Sequence, residues 1–173
     1  MKGTEYNACV DKYLKMVYRI AFHYVGRQED AEDIAQDVFY KLYSSEVSRE
    51  NDEAVKAWLI RVTINTCHSH FRNPFLKRRI DLEEYEWEQI PDSSSCEQDN
   101  IERRAVMDVV LSLPENYRIL IYLYYYEDYS CKRIAEILEI KETTVQTRLA
   151  RARIKLKDML SDSFPEKGVY DGV

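Results

Sequence analysis

Glycine and proline are scarce in this chain, at 4 residues each in 173, and such thin backbone punctuation suits an all-helical protein. Cysteine is scarce as well. Cys9, Cys67, Cys96 and Cys131 form no CxxC pair, so neither a disulfide framework nor a zinc site is suggested, and reduced thiols are the default. The run Cys67-His68-Ser69-His70 places two histidines about 200° apart on a helix, where they do not share an ion. There is no Gly-rich phosphate loop, and the few histidines and acids do not converge on a catalytic pair. No catalytic residue, metal, cofactor or small-molecule substrate is therefore expected, and the chain is not expected to be an enzyme. No apolar run approaches the roughly 18 residues of a membrane span, and the first residues lack the basic, apolar, small-residue order of a signal peptide. A cytoplasmic protein without direct membrane insertion is the expectation.

Charge is plentiful and unevenly placed. A formal net charge of −6 argues against a protein that coats DNA on its own. The basic residues nevertheless cluster, with Lys56, Arg61, Arg72, Lys77, Arg78 and Arg79 in one block and a basic C-terminal helix in another. Between them runs an acidic stretch with Asp81, Glu83, Glu84, Glu86, Glu88, Asp92, Glu97, Asp99 and Glu102, which repels phosphate. Glu29, Asp30, Glu32, Asp33 and Asp37 make a further acidic segment, a poor DNA surface and one suited to binding protein.

Apolar periodicity predicts helices over Tyr6–Tyr24, closed by Gly26, and over Gln28–Leu42, with Ala31, Ile34, Ala35, Val38, Phe39 and Leu42 facing inward. A polar loop over Ser44–Asp52 leads to a long helix from about Glu53 to Phe71, stopped by Asn73-Pro74. Further helices are predicted over Asn100–Ser112, Glu115–Tyr126, Cys131–Leu138 and Glu142–Leu160. The fold class is thus all-α: two small helical domains, residues 1–73 and 101–161, joined by a flexible acidic linker over 74–100 and followed by a loose tail over 162–173. About 27 residues of relaxed linker span roughly 30 Å against a contour near 90 Å.

The last two helices carry the most specific pattern. Ser130 is placed to cap the first of them, which puts Ile134, Ala135, Ile137 and Leu138 on one stripe. The second buries Val145, Leu149, Ala152 and Leu156 and turns Thr143, Gln146, Thr147 and Ala150 outward, flanked by arginines. Two short helices joined tightly, the second basic, form a helix-turn-helix, in which N-terminal side chains of the second helix reach base edges and cations hold phosphates. Gln146 and Thr147 are the candidate base readers, since Gln can pair bidentately with adenine. An ordinary helical hairpin with a solvated basic face has the same pattern.

Three blocks of residues narrow the choice. Leu113-Pro114-Glu115-Asn116-Tyr117-Arg118, Ser130 to Leu138 and Thr144 to Arg153 resemble the promoter −35 reading domain of the sigma-70 family, in its extracytoplasmic-function branch. Upstream, Asp30 to Leu42 is similar to that family's core-polymerase-binding helix, and Ala57-Trp58-Leu59-Ile60-Arg61 through Arg72 to its −10 reading helix. The blocks stand in the family's order and cover most of the chain outside the linker and tail. The resemblance implies a sigma factor that binds RNA polymerase core and directs initiation at promoter DNA, of a stress or envelope-response regulon, with an anti-sigma protein as a further partner.

Residue by residue, the resemblance assigns core binding to Asp33, Gln36 and Asp37, which otherwise read as a solvated acidic face. Arg61, Asn65, His68 and Arg72 recur at i, i+4, i+7 and i+11 as one polar face suited to following a single strand of −10 DNA, and the resemblance implies that the Ser44–Asp52 loop and the adjacent helix pocket a flipped base. It assigns −35 DNA to Thr143, Gln146, Thr147, Arg148, Arg151 and Arg153. Trp58 reads as packing rather than stacking, and the Tyr122–Tyr126 run as half-buried helix. Departures from the family pattern are Glu139 and Thr143 where glycine is common, Lys141 where serine often caps, Arg133 in place of Glu and Ser69 in place of Asp. A non-Gly residue at positive φ costs on the order of 1 kcal/mol, so Glu139 implies either another turn geometry or a less stable turn.

Two other classes share some of these features. A stand-alone helix-turn-helix regulator would bind its operator without polymerase and tolerate loss of Asp33 and Asp37. A pure interaction module would be indifferent to Gln146 and Arg148.

Overall fold

A computed structural model describes residues 3–45, 51–72 and 106–163. The predicted linker over 74–100, the middle of the predicted base-capturing loop (46–50), the first residues of the helix predicted from Asn100 and all but the first two residues of the predicted tail over 162–173 lie outside the described residues. All regular elements among the described residues are α-helices: α1 (Gly3–Val25), α2 (Gln28–Ser44), α3 (Asp52–Arg72), α4 (residues 106–111), α5 (Glu115–Tyr125), α6 (Cys131–Leu138) and α7 (Glu142–Ser163). They fall into two compact units, the first built on α1 to α3 and the second on α4, α5, most of α6 and α7.

In the first unit α1 packs on α2 and α3, and α2 packs on α3. Val17, Ile20, Ala21 and Phe22 of α1 meet Ile34, Val38, Phe39 and Leu42 of α2 and Leu59, Ile60 and Ile64 of α3 in a closed apolar core. Each large side chain so buried contributes about 1.5–3 kcal/mol relative to exposure. The six inward residues expected of α2 are all buried. Gly26 adopts φ 73°, and its amide bonds to the Phe22 carbonyl at 2.8 Å, so the chain reverses into α2 where only glycine takes that backbone without strain. Polar ties hold the helix ends. Lys12 Nζ lies 2.7 Å from Asp52 Oδ1 at the start of α3, Tyr13 donates its hydroxyl to the same carboxylate, and Lys41 donates to Thr66 Oγ1 at 2.8 Å.

In the second unit α5 and α7 are the packed pair. Ile119, Leu120 and Leu123 are buried on α5, Val145, Leu149, Ala152 and Leu156 on α7, and Ile134, Ala135 and Ile137 on α6. Ser130 caps α6 as its sequence implies, accepting the Arg133 amide at 3.2 Å. The turn that follows keeps a left-handed geometry although it lacks glycine: Glu139 sits at φ 56°. Thr143, the other residue standing where glycine is common, lies inside α7 and is not among the positive-φ residues. Lys141 supplies no side-chain acceptor, yet its carbonyl takes the amides of Thr144 and Val145 at 2.9 and 3.2 Å. The helix continues three residues past the expected end at Leu160, because Leu160 is itself buried and Ser161 bonds back to the Lys157 carbonyl at 2.8 Å.

Candidate nucleic-acid and protein interfaces

α7 presents two faces of different chemistry. Val145, Leu149, Ala152 and Leu156 take the inner face by 3.6-residue spacing, which forces Thr143, Gln146, Thr147, Ala150 and Arg151 outward, where all but the half-buried flank of the helix are in solvent. Arg148 is half-buried at that flank. Thr147 Oγ1 is bonded to the Thr143 carbonyl at 2.7 Å, and the Gln146 amide rests 3.3 Å from Glu142 Oε1. Lys155 and Lys157 extend the basic edge, and Ile154 stands 62% exposed among them.

Arg153 lies elsewhere. Its Nε–H donates to the Tyr125 hydroxyl at 2.8 Å, and its guanidinium carbon lies 5.2 Å from the ring centroid of Tyr124 and 5.7 Å from that of Tyr125. The tyrosine run is half-buried as expected, with Tyr122 inside and Tyr125 and Tyr126 exposed.

On α3 the expected polar face is present as a row. Asn65, His68 and Arg72 are exposed, and Arg61 and Trp58 are half-buried. The His68 ring lies 5.2 Å from that of Tyr24, and Phe71 lies 5.8 Å from the same ring. His70 points away from His68, toward α2: its Nε2 is 3.3 Å from Asp30 Oδ1, near enough for a charge pair though not aligned as a hydrogen bond. Asp30 also lies 3.8 Å from Arg27. Among the described residues no three His, Cys, Asp or Glu side chains gather to hold a metal ion. Among the same residues, no helix is long and apolar enough to cross a membrane.

On α2 the acidic face carries Asp33, Gln36 and Asp37, all exposed. Two residues that the apolar pattern does not single out join this face. Tyr40 is 72% exposed and Tyr43 56%; they follow Asp33 and Gln36 at i+7 and place aromatic surface on the same side of the helix. Tyr43 meets Tyr6 edge-on at 5.4 Å, and Tyr6 bonds to the Phe39 carbonyl at 3.3 Å, so α1 supports the end of this face. In the sequence the two tyrosines stand at outward positions of a polar stripe, but nothing there separates an exposed ring from a half-buried one.

Comparison with known proteins gives a consistent result. Residues 9–74 match the family model described as Sigma-70 region 2, and residues 103–156 the one described as Sigma-70, region 4. The chain is 32% identical over 144 residues to the RNA polymerase sigma factor SigV of Bacillus subtilis, covering 83% of this chain and 84% of that protein. It is 29% identical over 163 residues to the ECF RNA polymerase sigma factor SigW of the same organism, covering 88% and 87%. Among solved structures, it is similar to a chain of the complex of the sigma factor RpoE with the anti-sigma factor NepR from Bartonella quintana, with a TM-score of 0.71 at 19% identity, covering 91% of this chain and 97% of that one. A chain of the complex of CnrH with the cytosolic domain of CnrY aligns with a TM-score of 0.63, also at 19% identity, covering 91% and 88%. At that identity the two structures speak for the fold.

Proposed function

The chain belongs to the sigma-70 family of RNA polymerase sigma factors, in its extracytoplasmic-function branch, and on that premise we propose how its helices divide the work. As a sigma factor it binds RNA polymerase core and directs promoter-specific initiation. The unit of α1 to α3 docks on core through Asp33, Gln36 and Asp37 of α2. Arg61, Asn65, His68 and Arg72 of α3 track the unpaired strand at the −10 element: cations for phosphates and planar groups for bases, each about one turn from the next. α7 enters the major groove at −35, where Thr143, Gln146 and Thr147 read base edges and Arg148 and Arg151 hold phosphates. Sequence is read by the first three and orientation is fixed by the arginines.

The observation that carries this assignment is the outer face of α7. It is polar and small-sided near its N-terminus, flanked by cations, and opposite a fully buried aliphatic stripe. An anti-sigma protein is a further partner, by analogy with the solved relatives that carry one. The protein works in the cytoplasm, where polymerase and promoters are.

Separation of function tests the assignment. Asp33→Arg with Asp37→Arg should abolish co-elution with core while leaving the helical circular dichroism unchanged. Gln146→Ala with Arg148→Ala should retain core and lose promoter protection. If the protein alone protects a duplex site and the Asp33/Asp37 variant does so equally well, the stand-alone regulator replaces this account.

A further inference from the structure

We propose that Arg153 is a positioning residue of the −35 readout: it locks α7 in rotation against α5 and is not one of the phosphate contacts. The proposal rests on the reading of α7 as the recognition helix. By its place in the run Arg148, Arg151, Arg153 it would count as a third phosphate cation, but its side chain is committed to the body of the domain. The Nε–H bond to Tyr125 at 2.8 Å fixes a distance. The faces of Tyr124 and Tyr125, 5.2 and 5.7 Å away, fix an orientation. Those two rings are themselves set edge-on to each other at 5.0 Å and 74°, and the helix that carries them is anchored by buried Ile119, Leu120 and Leu123. A guanidinium satisfies both contacts at once because it is a planar group with a directional donor in its plane.

The need for such a lock follows from the inner face of α7. Val145, Leu149, Ala152 and Leu156 are aliphatic and modest in size, and aliphatic contacts are non-directional. They hold the helix down by burial and shape, and a directional contact adds a fixed rotation to that packing. A roll of about 20° moves a side-chain tip at a radius of about 6 Å by roughly 2 Å, which takes a base-reading amide out of hydrogen-bond range. Gln146 lies about two turns N-terminal to Arg153, on the same rigid helix, and any roll is transmitted to it.

The test is the salt dependence of promoter binding by holoenzyme reconstituted with the full chain, using a labelled duplex chosen from transcribed fragments, well below the melting temperature of each variant. Removing one phosphate-binding cation makes the slope of log K against log salt shallower by about 0.9. Arg151→Ala should do so. Arg153→Ala should weaken binding by roughly 5-fold to 30-fold with the wild-type slope, Tyr125→Phe, which keeps the ring face and loses the hydroxyl bond, by less with the same slope, and the double variant should be no weaker than Arg153→Ala alone. Arg153→Lys, which keeps the charge but not the plane, should recover only part of the loss. The proposal is overturned if Arg153→Ala flattens the slope as Arg151→Ala does, Lys restores it and Tyr125→Phe binds as wild type. If Gln146→Ala and Arg151→Ala leave promoter binding unchanged, α7 is not the reader and the proposal falls with its premise.

Discussion

The amide of Ile140 donates to the carbonyl of Ala135 at 3.1 Å, across a turn whose intervening Glu139 stands at φ 56°. This is the six-to-one bond of a Schellman closure, with the left-handed C′ position filled by a residue that carries a Cβ. α6 therefore ends as a glycine-terminated helix would, and the strain is held at one residue. Replacing Glu139 by Gly should stabilise the helix-turn-helix unit by on the order of 1 kcal/mol, whereas Glu139→Ala, which keeps the Cβ, should not. Calorimetric unfolding of the full chain measures both; equal behaviour of the two variants would show that the turn is unstrained.

Asp52 gives the first unit a pH dependence. The hydrogen bond from Lys12, then that from Tyr13, hold its carboxyl below the ordinary carboxylate range. A lowered folded-state pKa stabilises the fold above the unfolded value near 3.9 and loses that contribution as pH falls through the folded one. Asp52→Asn should thus lower the melting temperature slightly at neutral pH and make no difference well below pH 3.9. Tyr13 acts in the opposite sense. Burial, with the Asp52 hydrogen bond second, raises its phenol above the usual value of 10.0, so its contribution is present below pH 10 and lost above it. Spectrophotometric titration should show a late-ionising tyrosine that is lost in Tyr13→Phe; a titration unchanged by that substitution would contradict the contact.

Cys67 is sealed in the core of the first unit, with no exposed surface. Burial pushes its thiol up to about 12. Because the thiolate is the reactive form, iodoacetamide at neutral pH should label Cys9 and Cys131, which are half-buried, well before Cys67. Unfolding in urea should bring Cys67 to a comparable rate. Rapid native labelling of Cys67 by peptide mass spectrometry would sink the idea that it is a packing residue.

Tyr40 extends the acidic face of α2 with the most exposed large hydrophobic side chain among the described residues. Aromatic residues at the centre of an interface, ringed by polar groups, commonly carry much of the binding energy. Tyr40→Ala should weaken core binding roughly 5-fold to 30-fold, equivalent to about 1–2 kcal/mol, with little change in melting temperature, since the side chain is 72% exposed. Fluorescence titration of core with labelled protein distinguishes this from a bystander, for which affinity would be unchanged.

Where periodicity decides burial, the fold could be read from the residues. Ala31 to Leu42 and Val145 to Leu156 repeat at helical spacing, and all ten predicted inward positions in these two helices are buried. Helix ends differed from expectation by up to three residues, because caps and last turns are set by local bonds such as that of Ser161 rather than by the apolar pattern. The turn at Glu139 was ambiguous, since the glycine that normally signals it is missing while the geometry persists. The commitment of Arg153 to Tyr125, 28 positions earlier, could not be read at all: it exists only once α5 and α7 are packed. Tyr40 escaped for a different reason, as an exposed aromatic on a polar stripe looks in sequence like one more half-buried residue.

Transcription in vitro tests the central claim most directly. Core polymerase is supplied with a pool of genomic fragments and with either the wild-type chain, the Asp33→Arg/Asp37→Arg variant or the Gln146→Ala/Arg148→Ala variant. Discrete start sites are expected with core plus wild type, none with either variant, and a shared sequence should lie upstream of those starts. Transcripts that persist with both variants, or a protein that yields none while protecting a duplex site by itself, would contradict the assignment.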